Sequence, residues 1–450
     1  MSELPESWIE ITLGDVVNYG KTEKAEPNEI PADAWVLELE DIEKDTSKLL
    51  QRLTFAERKS KSTKNRFDAG DVLYGKLRPY LNKVIVADQN GFATTEIIPL
   101  KQNDAIHGRY LFYWLKHPRF LDYVETVSHG INMPRLGTEA GLQAPLILAP
   151  LNEQKRIAAK LDALLERVDA CRARLERVPL LLKRFRQAVL AAATSGQLTE
   201  DWQEGESEWN EATIDEISEL ISGFAFKSEW FKSNGNHQVV KIANVKDGYL
   251  DLKAAPAFIT YDLAKEYERF QAWPQDILIS MTGTKYKQDY GFVGLAQPGM
   301  NIWVNQRVSI IRAKEGQINP EFLFLFLRSQ EFRQQFFKGE TGQVNQGNVG
   351  SNHIKSCQVR FPSMLKQAEI VRRVETLFAY ADRLEARYQQ ARAEVERLTP
   401  ALLAKAFRGE LVPQDPNDEP ASVLLEQLQA ERAMTTAKPK QRAASLNGKR

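Results

Sequence analysis

Two stretches of this chain carry an apolar seam that steps alternately by four and three residues, with identical spacing in both. The first runs through Ile157, Leu161, Leu164, Val168, Cys171, Leu175, Val178, Leu182, Phe185 and Val189. The second runs through Ile370, Val374, Leu377, Ala381, Leu384, Tyr388, Ala391, Val395, Leu398 and Leu402. An apolar period of about 3.5 residues keeps one helix face against a partner helix, so the pattern predicts two long helices of coiled-coil type. A plainer alternative is an amphipathic helix lying on a globular core; the polar remainder of each stretch speaks against it. Pro179 and Pro400 interrupt these runs and are expected to kink them. Gly196 and Gly409 stand where a C-terminal cap is wanted.

The two helices are copies. Gln154 matches Gln367, Ile157 matches Ile370 and Gly196 matches Gly409 at one constant offset, and Asp169/Asp382, Arg174/Arg387, Arg184/Arg397, Ala193/Ala406 and Leu198/Leu411 keep the register without a gap. Apolar matches alone could arise between unrelated helices; the charged ones point to duplication. Upstream of each helix a looser likeness continues. RYLFYWLKHPRFLDYV resembles EFLFLFLRSQEFRQQF, and HGINMPRLG resembles TGQVNQGNVG. GDVLYGKLRP and QDILISMTGT each read as a strand running into a turn, with Asp71 and Asp276 in matching places. Strands and short helices are therefore expected over residues 8–148 and 209–361.

The predicted architecture is α+β: two mixed α/β domains, residues 1–150 and 198–362, separated by a long antiparallel two-helix coiled coil with a pseudo-twofold internal repeat. The helices are placed at 151–197 and 363–412, and a C-terminal segment with a disordered basic tail at 413–450. The first helix, about 37 residues, would be roughly 55 Å long. A globular domain at each end of such a rod makes a dumbbell, and two readers a fixed distance apart suit a bipartite DNA site.

Composition sets bounds on this picture. With 450 residues, 43% of them hydrophobic and 27% charged, the chain is long enough for two cores and reads as soluble. No apolar run approaches a membrane span. MSELPESWIE is too acidic for a secretory signal, and Cys171 and Cys357 fall in different halves, which suits a reducing cytoplasm. Net charge is zero, which argues against nonspecific coating of DNA and moves attention to local basic patches.

The densest patch is RKSKSTKNRFDAGDVLYGKLRPYLNK, residues 58–83, in which eight Lys/Arg stand against two Asp, with Tyr74 and Tyr80 interleaved. Lys59, Lys61, Lys64, Lys76, Arg78 and Lys83 are its candidate DNA-binding residues, since cations neutralise phosphates and Arg or Asn can read base edges. A solvated basic face would look similar. Asn132 and Arg135 of NMPR are further candidates. In the second half, Thr282, Lys285 and Lys287 of SMTGTKYKQDYGF stand at the corresponding place, with Gln343, Asn345 and Asn348 of GQVNQGN nearby. Loop Asn and Gln more often simply close turns.

Catalytic readings find little. The histidines His107, His117, His129, His237 and His353 lack ligand spacing. No GxxxxGK or GxGxxG loop follows a strand. Asn319-Pro320-Glu321-Phe322 resembles the NPPF tetrad of adenine methyltransferases, but Glu replaces the second Pro, and the same residues suit a helix start. Glu57 and Lys59 in ERK lack the Pro-Asp partner of a nuclease motif. A stand-alone methyltransferase or nuclease is the enzyme alternative; a coiled-coil adaptor without DNA function is the structural one.

The paired helices PLNEQKRIAAKLDALLERVD and SMLKQAEIVRRVETLFAYADRLE, with their endings LAAATSGQL and LAKAFRGELVPQDPNDEPA, carry a family resemblance. Over essentially its whole length the chain resembles the specificity subunit of type I restriction–modification systems. LISGFAFKSEWF, VVKIANVKDGYLDL and FDAGDVLYGKLRPYLNKV look like that family's target-recognition domains. The resemblance implies a non-catalytic, cytoplasmic subunit in which each globular domain binds half of an asymmetric bipartite sequence in double-stranded DNA. It also implies a helical pair that sets the spacer and binds two modification subunits. Those partners would hold S-adenosylmethionine and methylate adenine at N6. Restriction subunits using ATP and Mg would join them, and this chain would bind no cofactor, metal or membrane.

Overall fold

The computed structural model describes residues 4–128, 133–202, 208–343 and 345–437. The chain forms two compact units: unit 1 is Met1–Leu175 with Ala391–Arg450, and unit 2 is Glu176–Gln390. This division does not follow the linear order of segments. Each unit takes a globular part and a portion of both helical copies.

Four long helices are α1 (Leu151–Leu175), α2 (Val178–Ser195), α3 (Met364–Ala406) and α4 (Ala421–Ala437). The first helical copy is thus two helices rather than one. Pro179 is the reason: it has no N–H for the Leu175 carbonyl and its ring crowds that oxygen. In the first turn of α2 the same residue is tolerated, because its missing donor would be unpaired anyway. Pro400, by contrast, lies inside α3 without ending it. Gly196, the C-cap of α2, and Gly409 have φ of 89° and 75°, the left-handed conformation their positions predicted.

The seam is largely buried. In unit 1, Ile157 and Leu161 cluster with Leu402, Leu403 and Ala406, so the start of α1 meets the end of α3. In unit 2, Phe185, Val189 and Ala193 cluster with Ile370, Val374 and Leu377, and Arg186 pairs with Asp382 (2.7 Å) and Glu385 (2.8 Å). Both associations are antiparallel. Two seam positions depart from expectation: Cys171 is exposed, and Leu398 is 43% exposed while Leu403 is buried in its stead. Near its end α3 joins a globular core, and a wider apolar face replaces the narrow seam. Both cysteines are free.

The globular parts share one wiring. In unit 1, Val72–Gly75 lies between Val84–Val86 and Ile97–Leu100, all antiparallel; in unit 2, Ile277–Ser280 lies in the same way between Val293–Leu295 and Val308–Ala313. Trp35–Leu37 runs parallel to Gly91–Thr94, as His237–Val240 does to Ile302–Val304. Ile9–Thr12 pairs with Pro145–Leu148, and Asn210–Thr213 pairs with Gln358–Phe361. Asp71 and Asp276 each accept the N–H of the residue three before, Asp68 (2.9 Å) and Trp273 (2.7 Å). Helix α4 was not anticipated. Its Ala421, Leu424 and Leu428 are buried in the unit 1 core, and Arg432 donates to the Gly14 (3.2 Å) and Asp15 (2.9 Å) carbonyls. Of the stretch expected to be disordered, residues 435–450, the first three end helix α4 and residues 438–450 lie outside the described residues.

Candidate nucleic-acid interface

In unit 1 the strand Val72–Gly75 leads into Lys76-Leu77-Arg78. Lys76 N–H donates to the Glu96 carbonyl (2.9 Å), Leu136 N–H to the Lys76 carbonyl (3.0 Å) and Arg78 N–H to the Pro134 carbonyl (2.7 Å). Leu77 and Arg135 form an antiparallel bridge. Lys76, Arg78 and Arg135, distant in sequence, thus share one junction with Glu96, whose carboxylate meets the Arg135 guanidinium at 3.1 and 3.3 Å. Arg78 is exposed at a left-handed φ of 49°, and beside it Tyr80 is 61% exposed. Neither the Lys76 nor the Arg78 side chain has a polar partner among the described residues.

Unit 2 builds the same junction from different residues. Met281 N–H donates to the Arg307 carbonyl (2.8 Å) and Val349 N–H to the Met281 carbonyl (3.0 Å). Thr282 pairs with Asn348 and Gly283 with Gly347. Backbone position by position, Met281 stands for Lys76, Thr282 for Leu77, Arg307 for Glu96 and Asn348 for Arg135. The predicted loops SMTGTKYK and GQVNQGN are therefore brought together, as KLRP and NMPR are in unit 1.

The residues of the basic stretch separate into two kinds. Lys59 and Lys61 are exposed, and Lys76 and Arg78 edge the junction. Lys64 and Lys83 are corrections to the predicted interface. Lys64 is 2% exposed and donates to Glu38 (2.7 Å) and Ser62 (3.1 Å), and Lys83 donates to the Leu39 carbonyl (2.7 Å). Arg58 joins them, bonding Glu40 (3.1 Å) and the buried Asp41. These three cations hold the turn Glu38–Asp41, because a buried charge must be paired. In unit 2, Thr282 is also a correction: it is 5% exposed in a strand, its hydroxyl without a partner. Lys285 donates to the Gly342 carbonyl (3.1 Å), while Lys287, Gln343 and Asn345 are exposed and Asn348 is half-buried. Asn132 lies outside the described residues.

Two decoys resolve into helix caps. Asn319 accepts the Phe322 N–H (2.9 Å) ahead of Pro320. Glu57 accepts the Thr54 N–H (2.8 Å) and hydroxyl (2.8 Å) in a capping box, which holds its carboxyl below the ordinary range.

Sequence reasoning passed over three features. Glu96 and Arg307 sit at the heart of the two junctions but belong to no basic run. Gln154 and Gln367 were noted only as register marks, yet each is buried and works as a clamp. Gln154 accepts the His107 N–H (2.9 Å) and donates to the carbonyls of Ala105 (2.9 Å) and Ala149 (2.8 Å). Gln367 accepts the Asn319 N–H (2.8 Å) and donates to the Pro362 carbonyl (2.9 Å). A polar residue kept in register just ahead of both seams was the available signal. The third is a 290 Å³ pocket in unit 2 lined by Lys241, Ile242, Ala243, Asn305, Gln306 and Arg307.

The described structure is thus a duplicated α+β unit with a basic, amide-rich junction and seam helices paired within each unit. The profile of the type I restriction modification DNA specificity domain matches residues 5–179 and again 206–395. The chain is 32% identical over 363 residues to the type I restriction enzyme EcoBI specificity subunit of Escherichia coli, covering 75% of this chain and 74% of that one. The EcoKI specificity subunit of Escherichia coli strain K12 is also 32% identical, over 77% of this chain and 76% of its own. Among solved structures, the HsdS subunit from Thermoanaerobacter tengcongensis shares the fold at a TM-score of 0.58 and 20% identity, over 91% of this chain and 98% of that one. A chain from a type I restriction–modification assembly reaches 0.71 at 20% identity, over 91% and 100%. The chain belongs to the type I specificity-subunit family, the non-catalytic DNA-recognition components of these enzyme complexes. Among the described residues no helix is long and apolar enough to cross a membrane.

Proposed function

We propose that each unit reads one half of a split, asymmetric sequence in double-stranded DNA, and that the long helices recruit two modification subunits, which restriction subunits join. Adenine-N6 methylation with S-adenosylmethionine, and ATP- and Mg-dependent cleavage, belong to those partners; this chain contributes recognition and holds no cofactor. One observation carries the reading. A single backbone junction, built twice with the same hydrogen bonds, presents Lys76, Arg78, Arg135 and Glu96 in unit 1 and Arg307, Asn348, Lys287 and Gln343 in or beside it in unit 2. Phosphate contacts would position each unit and base contacts would choose the sequence. The test is an adenine methylation map of DNA exposed to the full chain with its modification subunit. A split motif with a fixed gap supports two readers. Methylation without a motif, or the same map without this chain, returns the coiled-coil adaptor to first place.

A further inference from the structure

Between the strands Ile302–Val304 and Val308–Ala313 the chain turns through Asn305-Gln306-Arg307. This corner is clamped from several sides. Asn305 N–H donates to the Val240 carbonyl (2.9 Å), Gln306 N–H to the Phe224 carbonyl (2.8 Å) and Val308 N–H to the Asn305 carbonyl (3.1 Å). The Arg307 carbonyl accepts from Met281 N–H (2.8 Å). Gly223 lies against it so closely that a Cβ there would stand 2.2 Å from the Asn305 carbonyl oxygen. Held in this frame, Arg307 has a left-handed φ of 71°, a strained conformation for a residue with a Cβ.

What the corner displays is chemically one-sided. Gln306 and Arg307 are exposed, with no polar side-chain partner among the described residues. The Asn305 Oδ1 is buried without a donor. With Lys241 these side chains line the 290 Å³ pocket, which has two cations and two amides and no carboxylate. Such a lining, with the Arg307 guanidinium exposed, takes a planar edge rich in acceptors. In the major groove that is guanine, whose O6 and N7 accept an Arg fork. The equivalent corner of unit 1 ends in Glu96, which holds Arg135 instead.

Resting on the reading of unit 2 as a DNA reader, we infer that the Asn305–Arg307 corner determines its specificity and that Arg307 selects a guanine in the half-sequence unit 2 reads. A rigid frame suits this role, since a reading side chain must be aimed before contact.

The test compares methylation maps of the full chain with its modification subunit, using DNA with both halves randomised, for the wild type, Arg307→Gly and Arg307→Lys. Gly adopts the positive φ without strain, so it removes the guanidinium while sparing the fold; thermal melting checks this. Lys keeps the charge and loses the fork. Both variants are expected to lose roughly tenfold or more of the preference for one guanine in one half, with the other half unchanged. An even drop across all sequences that Lys restores would make Arg307 a phosphate contact and overturn the inference. Relaxation at a base other than guanine, or none at all, would overturn it too. A wild type without any split motif would instead bring down the DNA-reading role itself, and this corner with it.

Discussion

Units 1 and 2 carry the same junction in backbone and opposite chemistry in side chains. The residue that receives the first N–H after the central strand is Glu96 in one and Arg307 in the other. The short turn after the parallel strand begins with Glu38 in unit 1 and Lys241 in unit 2, and each donates its backbone N–H to the side chain of the residue three on, Asp41 (2.7 Å) or Asn244 (2.8 Å). Duplication preserved the backbone hydrogen bonds of the junction and the side-chain cap of this turn, and left free the positions whose side chains point away from the frame. Recognition of two different half-sequences with one scaffold, as proposed above, would need that division.

If the frame is common, breaking it should hurt both units by an amount set by the bonds lost. Replacing Gln154 with Leu strands three backbone partners and should cost about 3 kcal/mol, against about 2 kcal/mol for Gln367→Leu, which strands two. Chemical unfolding followed in each variant measures this; negligible losses would mean that the clamps are not parts of the frame.

If the displayed side chains differ in task, changing them should act on one half-site alone. Lys76→Ala with Arg78→Ala should weaken binding by roughly tenfold and lower the salt slope of log K by about two, with unit 2's half of the motif intact. Titration of labelled duplexes over a salt series reads both quantities. Unchanged binding would place the unit 1 interface elsewhere.

The smallest effect on stability should come from Glu96→Gln. The Glu96–Arg135 pair is partly exposed, 26% and 47%, so its loss should shift stability by less than about 1 kcal/mol. Freed of its carboxylate, Arg135 should alter the base preference of unit 1's half. A melting loss of several kcal/mol would instead make Glu96 part of the frame.

Much of the fold was legible because its signals are local. The seam, the Gly caps at 196 and 409 and the Asn319-Pro320 helix start each depend on residues within a turn or two. Pro179 and Pro400 show the limit of that reading: each has the same intrinsic cost, but the one at a helix start breaks the run and the other is carried through α3. The candidate interface was half legible. The loops KLRP and NMPR, and SMTGTKYK and GQVNQGN, were picked out separately, and the fold joins each pair.

The sequence by itself determined the duplication, the helical register and the capping of the elements, since periodicity and backbone propensity act over a few residues. Only the tertiary structure decided which cations are left without an acidic partner. Lys64 is consumed by Glu38, 26 residues away, and Arg135 is balanced by Glu96, 39 residues away, whereas Lys76 and Arg78 find no carboxylate among the described residues. A lysine's charge is the same in every case; its availability depends on which acidic groups the folded backbone brings within about 4 Å, and no local pattern encodes that distance.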